Sequence, residues 1–331
     1  MNEQTENISN EFHSRIDLDG LKTAVDRIRA EIGKIIVGQH EVVDLLVMAL
    51  LSDGHVLLEG VPGVAKTLTA KLTARTLSVD FSRIQFTPDL MPSDIVGASI
   101  FNVKTQEFEF RKGPVFANIV LCDEINRAPA KTQAALFECM QEQQVTVDGV
   151  PHLLYPPFMV LATMNPIEQE GTYRLPEAQL DRFLFKVLVH YPNLEEETQI
   201  IREYHRLKGN FSPLQIEAVL NAGELAEYRR RVSEIHVEDK LMEYIARIVN
   251  QTRNNRNLIL GASPRASLAI LSGAKAKAAI GGRDFVTPED IKYIALPVLR
   301  HRIQLTPESE MEGGNPDRAV AEILGMIEVP R

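Results

Sequence analysis

Hydrophobic and polar positions follow two different rhythms along the chain. Up to about Pro192, short apolar runs alternate with helical patterns; beyond it only helical patterns remain. The runs His55–Glu59, Phe81–Phe86, Ile119–Cys122, Phe158–Thr163 and Phe183–Val189 are mostly continuous, as buried parallel strands are. Their alternation with helices predicts a three-layer α/β domain around a parallel sheet. Leu21, Val25, Ile28, Ile32 and Ile35 recur at helical spacing. Ile36 to Gln39 breaks that pattern, and a second apolar helix is predicted over Glu41–Leu51. Two stretches alternate with period two and predict hairpins: Ala98–Phe110, and Gln144–Leu154 around the turn dipeptide Asp148-Gly149.

After Pro192, helices are predicted over Leu194–Leu207, Glu217–Val232, Asp239–Arg253, Arg265–Ile280 and Pro288–His301. Thr287-Pro288-Glu289-Asp290 is a helix start, with a Thr cap, Pro in the first turn and acids at the positive dipole end. Pro307–Pro316 reads as a polar loop before a last helix, Asp317–Ile327. The expected organisation is a polar arm over residues 1–19, an α/β domain over 20–191 and an all-α domain over 192–331.

Between the first strand and its helix lies Gly60-Val61-Pro62-Gly63-Val64-Ala65-Lys66-Thr67, followed by Leu68. The spacing fits a phosphate-binding loop, G-x-x-x-x-G-K-[ST], with Ala65 where a second Gly is usual. Backbone N–H groups of such a loop and the following helix N-terminus cradle phosphates. Lys66 would neutralise the β- and γ-phosphates, and the Thr67 hydroxyl would coordinate Mg²⁺. Ala65 is tolerable if its φ is already helical, leaving Gly60 and Gly63 to supply positive φ or close approach. A Gly/Pro turn is the bland alternative for this stretch alone.

Composition narrows the class. The 331 residues suffice for two domains, and 44% hydrophobic with 24% charged residues is ordinary for a soluble protein. A net charge of −9 argues against general attraction to nucleic acid or an anionic membrane. Two cysteines, Cys122 and Cys139, make no disulfide framework and fit a reducing cytoplasm. Met1–Glu11 is polar and acidic, unlike a signal peptide, and the apolar run Val42–Leu51 is too short to span a bilayer.

Ile119 to Cys122 ends in two acids, Asp123 and Glu124. In a nucleotide enzyme Asp123 would join the Mg²⁺ shell and Glu124 would polarise the attacking water; a surface turn is the structural alternative. The run Phe158–Ala162 leads to Thr163-Met164-Asn165-Pro166, where Asn165 could hold the lytic water, touch the γ-phosphate or simply form a turn.

Together, Gly60–Thr67, Asp123-Glu124, Asn165, Leu180-Asp181-Arg182-Phe183 and Ser263-Pro264-Arg265 resemble an AAA+ ATPase. The alanine-containing loop, Asp123–Ala128, Ala162–Pro166 and Leu175–Phe183 resemble more narrowly the MoxR family, from about Ile35 to the end. The resemblance implies a P-loop αβα core followed by an all-α lid, with ATP and Mg²⁺ as ligands. It makes Lys66 and Thr67 Walker A, Asp123 and Glu124 Walker B, Asn165 sensor 1, Arg182 the arginine finger with Arg174 as a rival, and Arg265 sensor 2. Arg265 would act in its own subunit or on a neighbour's nucleotide. Val37, Gly38 and Gln39 resemble the segment lining the adenine pocket in related ATPases. An ion pair with Asp181 is the plain alternative for Arg182, and a surface helix start is that for Arg265.

The family resemblance implies ATP hydrolysis by a ring, a hexamer in expectation, that remodels or matures client proteins, often ones with a von Willebrand A domain. No D-x-S-x-S motif occurs here, so such a partner would be a separate chain. The alternatives are a nucleic-acid motor and the ATPase subunit of a metal chelatase. The hairpin Gln144–Leu154 lacks the Lys and Arg a motor would use on phosphates, so no nucleic-acid partner is expected. A GTPase is weakest: Asp94-Ile95-Val96-Gly97 imitates a switch motif, but no N-K-x-D reads guanine.

Overall fold

The computed structural model describes residues 16–166, 173, 175–206 and 216–330. Residues 1–15 of the expected arm, Arg174 and the end of the helix expected to reach Leu207 lie outside them.

The five apolar runs form one parallel sheet. β1 (His55–Glu59), β2 (Phe81–Gln85), β3 (Ile119–Asp123), β4 (Met159–Met164) and β5 (Phe183–Leu188) stand in the order β5-β1-β4-β3-β2. Side chains alternate across a strand, so each run feeds both faces. Val56 and Leu58, Ile119 and Leu121, and Met159 and Leu161 enter one buried cluster; Leu57, Val120, Cys122, Val160 and Ala162 enter the other. Helices α1 (Asp19–Gly33), α2 (His40–Leu51) and α3 (Lys66–Arg75) cover the first face. Helices α4 (Pro92–Val96) and α5 (Ala130–Glu142) cover the second with Ile95, Leu136, Phe137 and Met140. The two predicted hairpins form over Gly97–Lys112 and Gln144–Leu153, the second turning at Asp148 and Gly149, both with positive φ.

The remaining helices are α6 (Glu177–Leu180), α7 (Leu194–Arg206), α8 (Ala222–Ser233), α9 (Asp239–Arg253), α10 (Pro264–Ile280), α11 (Pro288–Leu299), α12 (Pro307–Met311) and α13 (Pro316–Met326). Some of them pack directly on the sheet layer. Helix α10 lies on α2 and α11 lies on β5. A Cβ on Gly273 of α10 would fall 2.7 Å from Ile294 Cγ2, so only glycine permits this approach. One buried cluster therefore runs from Leu18 through α2 to Ile323.

Two predicted elements differ. The helix expected from Glu217 starts at Ala222. Asn221 accepts from the Glu224 N–H (3.0 Å) and Glu224 accepts from the Asn221 N–H (2.9 Å), a reciprocal cap that sets the start. Leu220-Asn221 pairs instead with Leu77-Ser78. The expected polar loop after Pro307 contains α12, because the Thr306 hydroxyl accepts from the Ser309 N–H at 3.3 Å and caps it.

His55 begins β1 and is buried. The Val160 N–H donates to its Nδ1 (3.0 Å), so the ring is neutral with its proton on Nε2, facing the Met140 carbonyl at 3.3 Å. Burial lowers its pKa from 6.5 to about 4. Buried His301 faces the Phe183 carbonyl (3.0 Å) and is likewise held well below its usual value, by burial and then by Arg302. The unfolded chain protonates first on acidification. The stability from His55 is thus complete above about pH 6.5 and is lost as the pH falls toward about 4. Chemical denaturation at pH 7.5 and pH 5 should differ by roughly 2 kcal/mol on account of His55 alone. His55→Gln should narrow that difference; an unchanged difference would remove His55 as its source.

Candidate active site

The loop between β1 and α3 is shaped by its backbone. Gly63 has φ 86°. Gly60 serves close approach instead: a Cβ there would fall 2.4 Å from the Val189 carbonyl oxygen. Ala65 departs from expectation. Its φ is 59°, left-handed rather than helical, a conformation that costs an L-residue about 1–2 kcal/mol. Such strain is retained where surrounding structure enforces it, typically at functional sites. Here Lys66, the first residue of α3, donates from Nζ to the carbonyls of Gly60, Val61 (3.2 Å) and Met164 (3.3 Å), tying the loop to the end of β4. From behind, the Gln39 amide donates to the Val64 carbonyl (2.9 Å) and accepts from the Thr69 hydroxyl at 3.0 Å.

Asp123 closes β3 and is 3% exposed. Its Oδ1 accepts from the hydroxyls of Thr67 (2.8 Å) and Thr163 (3.2 Å), and its Oδ2 from Arg83 Nε at 2.6 Å. Glu124 follows with φ 57°, a second left-handed residue at the same place. The Thr163 hydroxyl accepts from the Glu124 N–H at 3.0 Å. The Glu124 carboxylate accepts from Gln85 (2.8 Å) and Arg127 (3.0 Å). Cys122 alongside stays a thiol: burial, with the Asp123 charge adding, pushes its pKa up.

These groups surround one cavity of about 550 Å³, lined by Pro62–Leu68, Lys71, Arg83, Gln85, Asp123, Glu124 and Thr163–Asn165. Thr67 and Asp123 present hard oxygen donors side by side. Among the described residues no group of three or more His, Cys, Asp or Glu could hold a metal. Two protein oxygens beside a phosphate cradle suit Mg²⁺, which takes few protein ligands and completes its shell with phosphate and water. Asn165, 5% exposed, stands at the end of β4 between β1 and β3, as expected.

The other expected residues lie elsewhere. Val37, Gly38 and Gln39 do not line this cavity; Gly38 is pressed against Glu196 of α7, where a Cβ would meet Oε1 at 2.4 Å. Arg182 and Arg265 share a second cavity of about 300 Å³ with Asp181, Arg302 and His55. His55 opens β1 and Glu59 ends it, so this cavity is at the opposite end of the strands, about 13 Å away. There Arg182 Nη1 donates to the Phe137 carbonyl, and the partly buried Asp181 carboxylate pairs with Arg302 (2.7 Å) and accepts from the Ser263 hydroxyl at 2.9 Å.

Arg83, Gln85, Arg127 and Thr163 are site residues that the sequence reading does not single out. Arg83 and Gln85 alternate with Ile84 on β2, the signal of an edge strand with one polar face, which counting the run as buried hides. Arg127 sits three residues after Glu124, within side-chain reach once a turn forms there.

Comparisons with known proteins place this geometry. Residues 55–185 match the model of the ATPase family associated with various cellular activities (AAA), and residues 250–323 match the AAA lid domain. The chain is 47% identical to YeaC of Bacillus subtilis, covering 90% of this chain and 92% of that protein. It is 45% identical to the chaperone MoxR1 of Mycobacterium tuberculosis, over 93% of this chain and 82% of the relative. It is 30% identical to the protein MoxR of Methylorubrum extorquens, over 92% and 95%. A crystal structure of a protein assigned as an ATPase, from Cytophaga hutchinsonii, superposes with a TM-score of 0.86 at 41% identity, covering 94% of this chain and 97% of that one. Identity of this extent, on an ATPase core carrying its own lid, makes the chain an ATP hydrolase that belongs to the MoxR family of AAA+ ATPases.

Proposed function

We propose that the chain hydrolyses ATP as a ring of like subunits and uses the cycle to remodel or mature a client protein. In this reading Lys66 and the loop N–H groups bind and orient the phosphates. Thr67 and Asp123 hold Mg²⁺, which would neutralise charge on the transferring phosphoryl group. Glu124 takes the proton of the attacking water and Asn165 orients that water. The observation that carries the ring is the placement of Arg182 and Arg265. Both guanidinium-bearing residues line one cavity at the end of the strands opposite their own phosphate loop. That is where an arginine would serve the nucleotide of an adjoining subunit.

A protein client is supported by the hairpin Gly97–Lys112, which exposes Phe101, Val103 and Phe108. Apolar tips suit contact with protein. The hairpin Gln144–Leu153 carries no Lys or Arg for nucleic-acid phosphates. The Mycobacterium tuberculosis relative bears the name chaperone, which agrees with this reading. The client is a separate polypeptide, and a von Willebrand A domain is the class we favour. The setting is the cytoplasm; among the described residues no helix is long and apolar enough to cross a membrane.

Lys66→Ala should abolish tight binding of ATP, because it removes the cation on the β- and γ-phosphates. Equal affinity of variant and parent for labelled ATP would refute the assignment. Glu124→Gln should bind ATP normally and turn it over about 10²–10⁴-fold more slowly, as loss of a general base does. Near-parental turnover would mean that another group activates the water.

Arg182→Ala should bind ATP but hydrolyse it very slowly, since arginine fingers are worth about 10³–10⁵ in rate. Co-expressing it with Lys66→Ala should restore activity at mixed interfaces, where an intact pocket meets an intact finger. Mixed rings that stay inactive would mean that Arg182 works within its own subunit or is not the finger, and Arg174 would be tested next.

A further inference from the structure

Asp123 is the most enclosed charge in the cavity, with its side chain 4% exposed, and it is fully committed. Oδ1 accepts from two hydroxyls, Thr67 and Thr163, and Oδ2 accepts from Arg83 Nε at 2.6 Å. Hydroxyls supply dipoles only; the compensating full charge on this carboxylate is Arg83. A buried carboxylate demands such a partner, because desolvating an unpaired charge costs several kcal/mol.

Arg83 itself is built to move. Its side chain is 53% exposed, and β2 is the edge strand of the sheet, so the guanidinium can swing into solvent or along the cavity without disturbing the core. Its second anchor is weak, a 3.2 Å contact from Nη2 to the Gln85 amide oxygen. Gln85 in turn donates to Glu124, so one guanidinium touches the surroundings of both carboxylates.

We infer that Arg83 is the resident counter-cation of Asp123 and competes with Mg²⁺ for it, so that this side chain sets how much Mg²⁺ nucleotide binding requires. The inference rests on the reading of Asp123 as the cation ligand. The Arg83 guanidinium, 2.6 Å from Oδ2, already neutralises the carboxylate whose charge a divalent ion beside Thr67 would need. The ion pair therefore opposes cation binding at Asp123, and its strength divides the apparent Mg²⁺ affinity. A half-exposed ion pair sustains a factor of about two to five.

The test is a Mg²⁺ titration of the binding of a fluorescent ATP analogue, with the full-length chain and no turnover required. Binding in EDTA serves as the reference for an intact pocket. Measured against its own binding in EDTA, Arg83→Gln should lower the half-saturating Mg²⁺ concentration about two- to fivefold. Asp123→Asn should raise it well above the parent value. An unchanged or higher midpoint in Arg83→Gln, or loss of binding in both EDTA and Mg²⁺, would overturn the inference, since the arginine would then merely support the pocket. If Asp123→Asn leaves the midpoint untouched, the cation-ligand reading itself falls, an outcome separate from failure of Arg83→Gln alone.

Discussion

Burying the Asp123 carboxylate at the end of β3 commits groups from three other elements. The four residues before it are completely buried and apolar, so the strand delivers a charge where water is scarce. Such a charge persists only if donors converge on it. They come from the first turn of α3 (Thr67), from β4 (Thr163) and from the edge strand β2 (Arg83). Meeting one carboxylate therefore fixes the helix start, and with it the phosphate loop, against the sheet. The same Thr163 hydroxyl accepts from the Glu124 N–H and helps hold that residue left-handed.

A second buried charge does the equivalent work at the opposite end of the strands. Arg302 is 7% exposed and pairs with Asp181, while it also donates to the carbonyls of Phe183 (2.7 Å) and Val298 (2.6 Å). Burial pulls its pKa down and the Asp181 contact opposes that. Asp181 also accepts from Ser263, the residue before α10. Removing either partner would strand a charge in the interior, so the lid helices and the start of β5 are locked together. Arg182 directly follows Asp181 and Arg265 stands two residues after Ser263, and both line the cavity beside this lock. A lid movement would be felt by both arginines at once.

Much was legible in the chain because it depends on local order. Largely apolar runs marked the inner strands, since a parallel strand is buried on both faces, while β2 at the edge alternates polar and apolar. The Gly60–Thr67 spacing marked the loop between β1 and α3, and the acids after an apolar run marked Asp123 and Glu124, which line the same cavity. Chain order alone locates such features, because each stands at the end of one strand.

What tertiary structure decided was the company each residue keeps. Arg83 is 40 positions from Asp123, and only the β2–β3 pairing, with Gln85 opposite Asp123, makes them partners. Ala65 is left-handed because the loop is held at both ends, a constraint that no propensity records. Arg182 and Arg265 are 83 positions apart (265 − 182) and share a cavity because Arg302 and Ser263 converge on Asp181. Periodicity and spacing therefore determined the elements and the loop that carries the chemistry. Strand order and buried charge pairing, which act across long stretches of chain, decided which cations stand beside which carboxylates.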